Sequence, residues 1–224
     1  MDKQQLDNTA KAPFSVNAAN LSLSRGDTLL FADVSFEIQP QQLIWVNGGN
    51  GMGKTSLLRL LAGFTRPDNG NIDWQQNGKT ATARDIIGFQ GHLDAFKPSL
   101  TAHEALQFWA DIMNVPNSAE DCLSRVGLNT RKDVRCGQLS AGQKRRLALA
   151  RLILSRKPVW IMDEPTAAMD AKGVALIHSL VENHIMHGGS AVIASHNPAQ
   201  TMTAHTRRLT LNTAELASEQ SAVT

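Results

Sequence analysis

Val46–Asn47–Gly48–Gly49–Asn50–Gly51–Met52–Gly53–Lys54–Thr55–Ser56–Leu57–Leu58 decides how the rest of this 224-residue chain is read. Gly48 to Thr55 fit G-x-x-x-x-G-K-[ST], a phosphate-binding loop. A polyphosphate is too charged and bulky for close packing by side chains, so such a loop offers backbone N–H groups. Its glycines let the main chain wrap a phosphate with no Cβ in the way. Lys54 places an ammonium against the β- and γ-phosphates of a nucleotide, and the Thr55 hydroxyl is suited to Mg²⁺. Leu43–Ile44–Trp45–Val46 is an apolar run of buried-strand type ending at the loop. Leu57, Leu58, Leu60 and Leu61 follow at helical spacing, with Gly63 at the C-terminal cap. Strand, loop and helix direct a helix N-terminus at the phosphates. The residues expected to contact nucleotide are Asn47, Gly48, Gly49, Asn50, Gly51, Met52, Gly53, Lys54, Thr55 and Ser56.

Upstream, Leu21 and Leu23 lead to a Gly26–Asp27 turn, and Val34, Phe36 and Ile38 then share a face, which is a β-hairpin signal. Downstream, Arg66–Pro67–Asp68–Asn69–Gly70 is a turn cluster, with short strands expected at 71–74 and 86–89. Thr101–Ala102–His103–Glu104 is a capping box ahead of an amphipathic helix carrying Leu106, Trp109, Ala110 and Met113, which Pro116 ends. A short helix is expected over 119–126, closed by Gly127. Ser140–Ala141–Gly142–Gln143 is a second capping box, opening a helix to about Leu154. Strands are expected at 159–163 and 191–194 and a last short one at Leu209 and Leu211, with a helix over 174–185. The pattern from residue 43 onward is α/β with mostly parallel strands.

Val159–Trp160–Ile161–Met162 run into Asp163–Glu164, an apolar strand ending in two carboxylates. Beside a phosphate loop, Asp163 can hold Mg²⁺ directly or through water, and Glu164 can polarise an attacking water.

The net charge of +2 gives no basic field for nucleic acid. Lys144–Arg145–Arg146 reads as a solvated helix face. Cys122 and Cys136 make neither a C-x-x-C pair nor a disulfide framework, which suits a reducing compartment. No apolar run reaches the roughly 18–20 residues of a membrane span. Met1 to Ala12 is polar and lacks the apolar core of a signal peptide. His184 and His187, at i, i+3 on a helix, read as a solvated face rather than metal or haem ligands. Trp45, Trp74, Trp109 and Trp160 read as core packing.

Leu139–Ser140–Ala141–Gly142–Gln143 resembles the L-S-G-G-Q signature of ABC-transporter ATPases. With Gly48–Thr55 and Asp163–Glu164–Pro165–Thr166 in this order, the likeness covers about residues 16–212. It implies a P-loop NTPase fold of ABC type: a mainly parallel sheet core, an N-terminal antiparallel β subdomain and a helical signature subdomain at about 98–156. One ABC ATPase domain spans 15–212, with disordered ends at 1–14 and 213–224. It also implies ATP and Mg²⁺ as ligands and a head-to-tail dimer of two copies. There Ser140, Gly142 and Gln143 reach the γ-phosphate held by the other copy, and Asp170 crosses the interface. His196 corresponds to the switch histidine, catalytic with Lys54 and Glu164. The chain departs from the family at three places. Ala141 replaces a signature glycine. The family's Gln some nine residues before the Leu-Thr of the next helix falls at His92 or Leu93, with Gln90 two to three residues early and taken as the metal or water ligand. The adenine-stacking aromatic falls near Arg25, whose guanidinium can stack on a base.

Within the family, S-L-L-R-L-L-A-G at Ser56–Gly63, R-P-D-x-G at Arg66–Gly70 and L-S-A-G-Q-x-R-R at Leu139–Arg146 are similar to the ATPase subunits of haem-exporter-type complexes of bacterial c-type cytochrome maturation. The implied partners are that system's integral membrane subunits, and the implied place is peripheral on the cytoplasmic face of the inner membrane. Other ABC transporters, soluble ABC ATPases of iron–sulfur or translation type, and modules that bind nucleotide without hydrolysing it share these motifs.

Overall fold

The computed structural model describes residues 13–92, 95–116, 118–195 and 206–211. Leu93, His196 and the polar ends at 1–12 and 212–224 lie outside the described residues. The first strand starts earlier than expected: Phe14 is buried in it, so the lead is shorter than 1–14.

Two sheets share the molecule. In the first, β1 (Phe14–Arg25), β2 (Thr28–Ile38), β4 (Asn69–Gln76) and β5 (Lys79–Ala81) are antiparallel in the order β2-β1-β4-β5. The second has the order β6-β7-β8-β3-β9, from β6 (Ile87–Gln90), β7 (Val159–Asp163), β8 (Ser190–Ala194), β3 (Leu43–Asn47) and β9 (Thr206–Thr210). Every pairing in it is parallel. Its central strands β3, β7 and β8 read as nearly continuous apolar runs because both faces are covered, whereas the edge strand β9 carries Arg207 and Arg208. Leu43, Trp45, Trp160 and Met162 face one core, while Ile44, Val46, Val159 and Ile161 face the other. The first core is closed by α3 (Ala102–Ile112), α4 (Ala119–Arg125), α5 (Ala141–Leu154) and α6 (Ala171–Met186). The second is closed by α1 (Lys54–Leu61), the one-turn α2 (Ala83–Ile86) and the antiparallel sheet.

The expected boundaries hold within a few residues, and the differences have local causes. Helix α3 ends at Ile112 rather than at Pro116, because Asn114 takes a left-handed conformation at φ 53°. Helix α6 starts three residues before Val174, because the Asp170 carboxylate accepts from Gly173 N at 2.7 Å and caps it. Both predicted capping boxes form, at Thr101 with Glu104 and at Ser140 with Gln143. Hydrogen bonds from the Thr101 backbone and hydroxyl hold the Glu104 carboxyl below its ordinary range. Burial pushes the Cys136 thiol up, which keeps it an inert packing group.

Gly70 lets β4 approach β1 closely within the antiparallel sheet. It sits at φ 84°, and an added Cβ would collide with the carbonyl oxygens of Ala19 and Asn20. Gly70→Ala is therefore expected to lower stability by at least about 1–3 kcal/mol, read as a fall in the thermal midpoint.

Candidate active site

Asn47, Ala194, Asp163 and Gln90 stand at the C-terminal ends of β3, β8, β7 and β6. Parallel register brings these ends to one edge, where open α/β sheets bind ligands. Ala194 lies between Val46 and Asp163 in the ladder. The phosphate loop and the carboxylates are thus one strand apart.

The loop from Gly48 to Gly53 leads directly into α1, whose N-cap Gly53 has φ 82°. A Cβ at Gly53 would press on Leu30 and Phe31, so β2 packs against the loop. Lys54 is buried at 9% exposure, and its Nζ donates to the carbonyls of Gly48 at 2.7 Å and Gly49 at 3.0 Å. That holds the ammonium over the loop. Met52 lies back against the same turn, its sulfur accepting from Gly49 N at 3.0 Å.

Thr55 Oγ1 donates to Asp163 Oδ2 at 2.8 Å. Cis ligands of an octahedral Mg²⁺ at about 2.0–2.1 Å stand about 2.9 Å apart, so this oxygen pair fits that cation. Glu164 follows at φ 47°, a strained setting for a residue with a Cβ, and its N–H donates to Ala194 O at 2.8 Å. The chain thus bends out of β7, separating the Glu164 carboxylate from that of Asp163. Both carboxylates line a cleft of about 340 Å³ with Lys54, Thr55, Ser56 and four residues of the loop.

Arg25, Leu30 and His92 complete that cleft. Gln90 does not. It is fully buried, its Nε2 donates to Arg145 O at 3.5 Å, and it is not among the residues that line the cleft. The residue after β6 that faces the cleft is His92. The strand's end explains the difference: Gln90 is the last residue of β6 and is buried against α5, whereas His92 lies beyond the strand, where the chain has left its regular course.

None of Ser140, Gly142, Gln143 or Asp170 lines this cleft. Ser140 caps α5, its Oγ accepting from Gln143 N at 3.2 Å while Gln143 Oε1 accepts from Ser140 N at 2.9 Å. Ala141 is the first residue of α5 and needs no left-handed conformation, so an alanine is tolerated. Gly142 is more constrained: a Cβ there would lie 3.1 Å from Ala168 O.

Two surface readings are overturned. Arg145 is 4% exposed, not solvated, unlike the partly exposed Lys144 and Arg146 beside it. His184 is also in the core. It stacks on Trp160 with ring centroids 3.8 Å apart, and its Nε2 meets Pro158 O at 3.0 Å, so it is a packing group and no haem ligand. Trp45 and Trp160 are buried as expected, while Trp74 and Trp109 remain partly open.

A second, larger cleft of about 930 Å³ runs between a helical lobe formed by α3, α4 and α5 and a lobe formed by the two sheets with α1 and α2, and residues after α1, in α2, β6, α3 and α5 line it. Its walls include Phe64, Phe89, Trp109, Ile112 and Arg151. Phe64 and Ile112 are 57% and 55% exposed, which is unusual for such side chains.

The family model described as ABC transporter matches residues 31–167. The cytochrome c biogenesis ATP-binding export protein CcmA of Vibrio vulnificus is 41% identical over 188 residues, 81% of this chain and 91% of the relative. CcmA of Haemophilus influenzae is 39% identical over 198 residues, covering 86% and 92%. Among solved structures, an inward-facing ABC transporter described as metal-chelate type superposes with a TM-score of 0.75 at 24% identity, over 91% of this chain and 80% of that one.

Proposed function

The chain belongs to the ABC transporter family of ATP-binding proteins, and from that premise we propose that it is the ATP-hydrolysing subunit of a membrane complex of the haem-exporter type, serving c-type cytochrome biogenesis. One observation carries the ATPase chemistry: a phosphate loop, a threonine–aspartate oxygen pair and an offset glutamate share one cleft at the end of a parallel sheet. The naming of the CcmA relatives supports the biological setting.

In this reading the loop amides and Lys54 hold the β- and γ-phosphates. Thr55 and Asp163 are the residues that would hold Mg²⁺, which when bound neutralises charge between those phosphates. Glu164 accepts a proton from the attacking water. Arg25 lies where it can stack on the base. His196 is the proposed γ-phosphate sensor.

Ser140, Gly142, Gln143 and Asp170 lie outside their own chain's cleft, so the reading gives them to a second copy. Two chains then close head to tail over two nucleotides, with the electropositive N-terminus of α5 covering each γ-phosphate. Hydrolysis removes the bridging group and the pair opens.

No described helix is long and apolar enough to cross a membrane, so the opening must be passed to another subunit. The apolar cleft edged by Phe64, Trp109 and Ile112 suits a partner helix docking from the bilayer side, and the CcmA likeness supports a peripheral place on the cytoplasmic face. Tagged chain extracted in mild detergent is expected to bring multi-span membrane proteins with it, and a paired F64E/I112E variant to recover them about tenfold less. A wild-type chain that hydrolyses ATP and comes out of membranes alone points instead to a soluble ABC ATPase.

A further inference from the structure

Arg145 crosses from one lobe to the other. It projects from α5, in the helical lobe, four residues after the N-terminal Ala141. Its Nη1 donates to Gly91 O at 2.8 Å and His92 O at 3.0 Å, and its Nη2 reaches Asp163 O at 3.4 Å. One buried guanidinium thus gathers the turn after β6, the end of β7 and the signature helix. The first two carry His92 and Asp163 into the nucleotide cleft. The third carries Ser140 and Gly142.

We infer that Arg145 is a positioning residue of the ATPase reaction: it fixes the 91–92 turn to α5, so that any movement of the helical lobe sets where His92 stands over the nucleotide. The inference rests on the ATPase reading above and adds a device to it.

The chemistry of the joint supports a role beyond packing. A guanidinium presents its donors in a rigid fork, so it can hold several carbonyls in fixed relative positions, whereas a lysine ammonium is a single point on a flexible stem. The same joint also carries an unfavourable group. Gln90 Oε1 is buried and accepts no hydrogen bond among the described residues, although Gln90 Nε2 bonds Arg145 O. Cores shaped by stability alone shed such groups, and they persist where a site needs them.

The test uses the full chain assembled with its membrane subunits, with turnover expressed per bound nucleotide. R145Q is expected to lower kcat by about 10- to 100-fold, the range for a misplacement of about 1 Å near the reacting groups. Its KM for ATP should stay within about threefold, because the phosphate loop is untouched. R145K should fall between R145Q and the wild type. In an H92A background, R145Q should cost less than about threefold more, because both changes remove the same placement. Unchanged kcat in R145Q, a fully active R145K, an H92A variant as active as wild type, or losses that multiply in the double variant would each overturn the inference. Should R145Q fail to assemble, R145K carries the same cycle. A wild-type complex that hydrolyses no ATP sinks the functional reading itself, a different result from any of these.

Discussion

Glu164→Gln is expected to cut steady-state ATP turnover by about 10²–10⁴-fold, the usual contribution of a general base. The geometry narrows why. Asp163 is engaged with Thr55 at 2.8 Å, which leaves Glu164 as the cleft carboxylate set apart from that pair. The amide is nearly isosteric, so the strained φ of 47° and the N–H bond to Ala194 O should survive. Binding should therefore persist while chemistry stops. The variant is expected to accumulate as an ATP-bound dimer, visible as a doubled mass in size-exclusion chromatography with light scattering. Wild-type turnover in this variant would move the base elsewhere.

Lys54→Ala is expected to act on both terms. Its ammonium is the cleft's principal fixed cation beside the loop amides, held by the Gly48 and Gly49 carbonyls. Removing it withdraws a charge-assisted donor from phosphates that gain charge as the bond breaks. Losses of about 10²–10³ in kcat accompany removal of one such preorganised donor. Affinity should fall as well, since the ground-state nucleotide is already anionic. A nucleotide titration alongside phosphate release separates the two. Dimer formation on adding ATP should be absent, in contrast to Glu164→Gln.

The sequence carried the fold where local chemistry decides structure. The phosphate loop, both capping boxes and the apolar strands 43–46 and 159–163 can be read without neighbours, because each is set by a turn, a cap or a two-sided burial. Gln90 and Arg145 could not be read that way. Gln90 lies two residues from the position that enters the cleft, but it is the last residue of β6 and packs against α5, a contact 55 residues away in sequence. Arg145 sits in a run of three basic residues, and only the approach of β6 and β7 to α5 makes its environment dry. His184 is similar: its partner Trp160 is 24 residues away, on another element. What a single sequence hides here is the long-range contact that reverses a residue's expected exposure.

Strand β3, which delivers the nucleotide loop, pairs on one side with β8 and on the other with β9. Both neighbours are synthesised more than 140 residues later. On a ribosome adding about 5–20 residues per second, the loop's own strand waits several seconds or more for its flanks, while the early hairpin of β1 and β2 needs only local closure. Competence to grip a nucleotide therefore arrives last, and a chain interrupted before β9 would be born with one edge of its ligand-binding strand unpaired and open to mispairing.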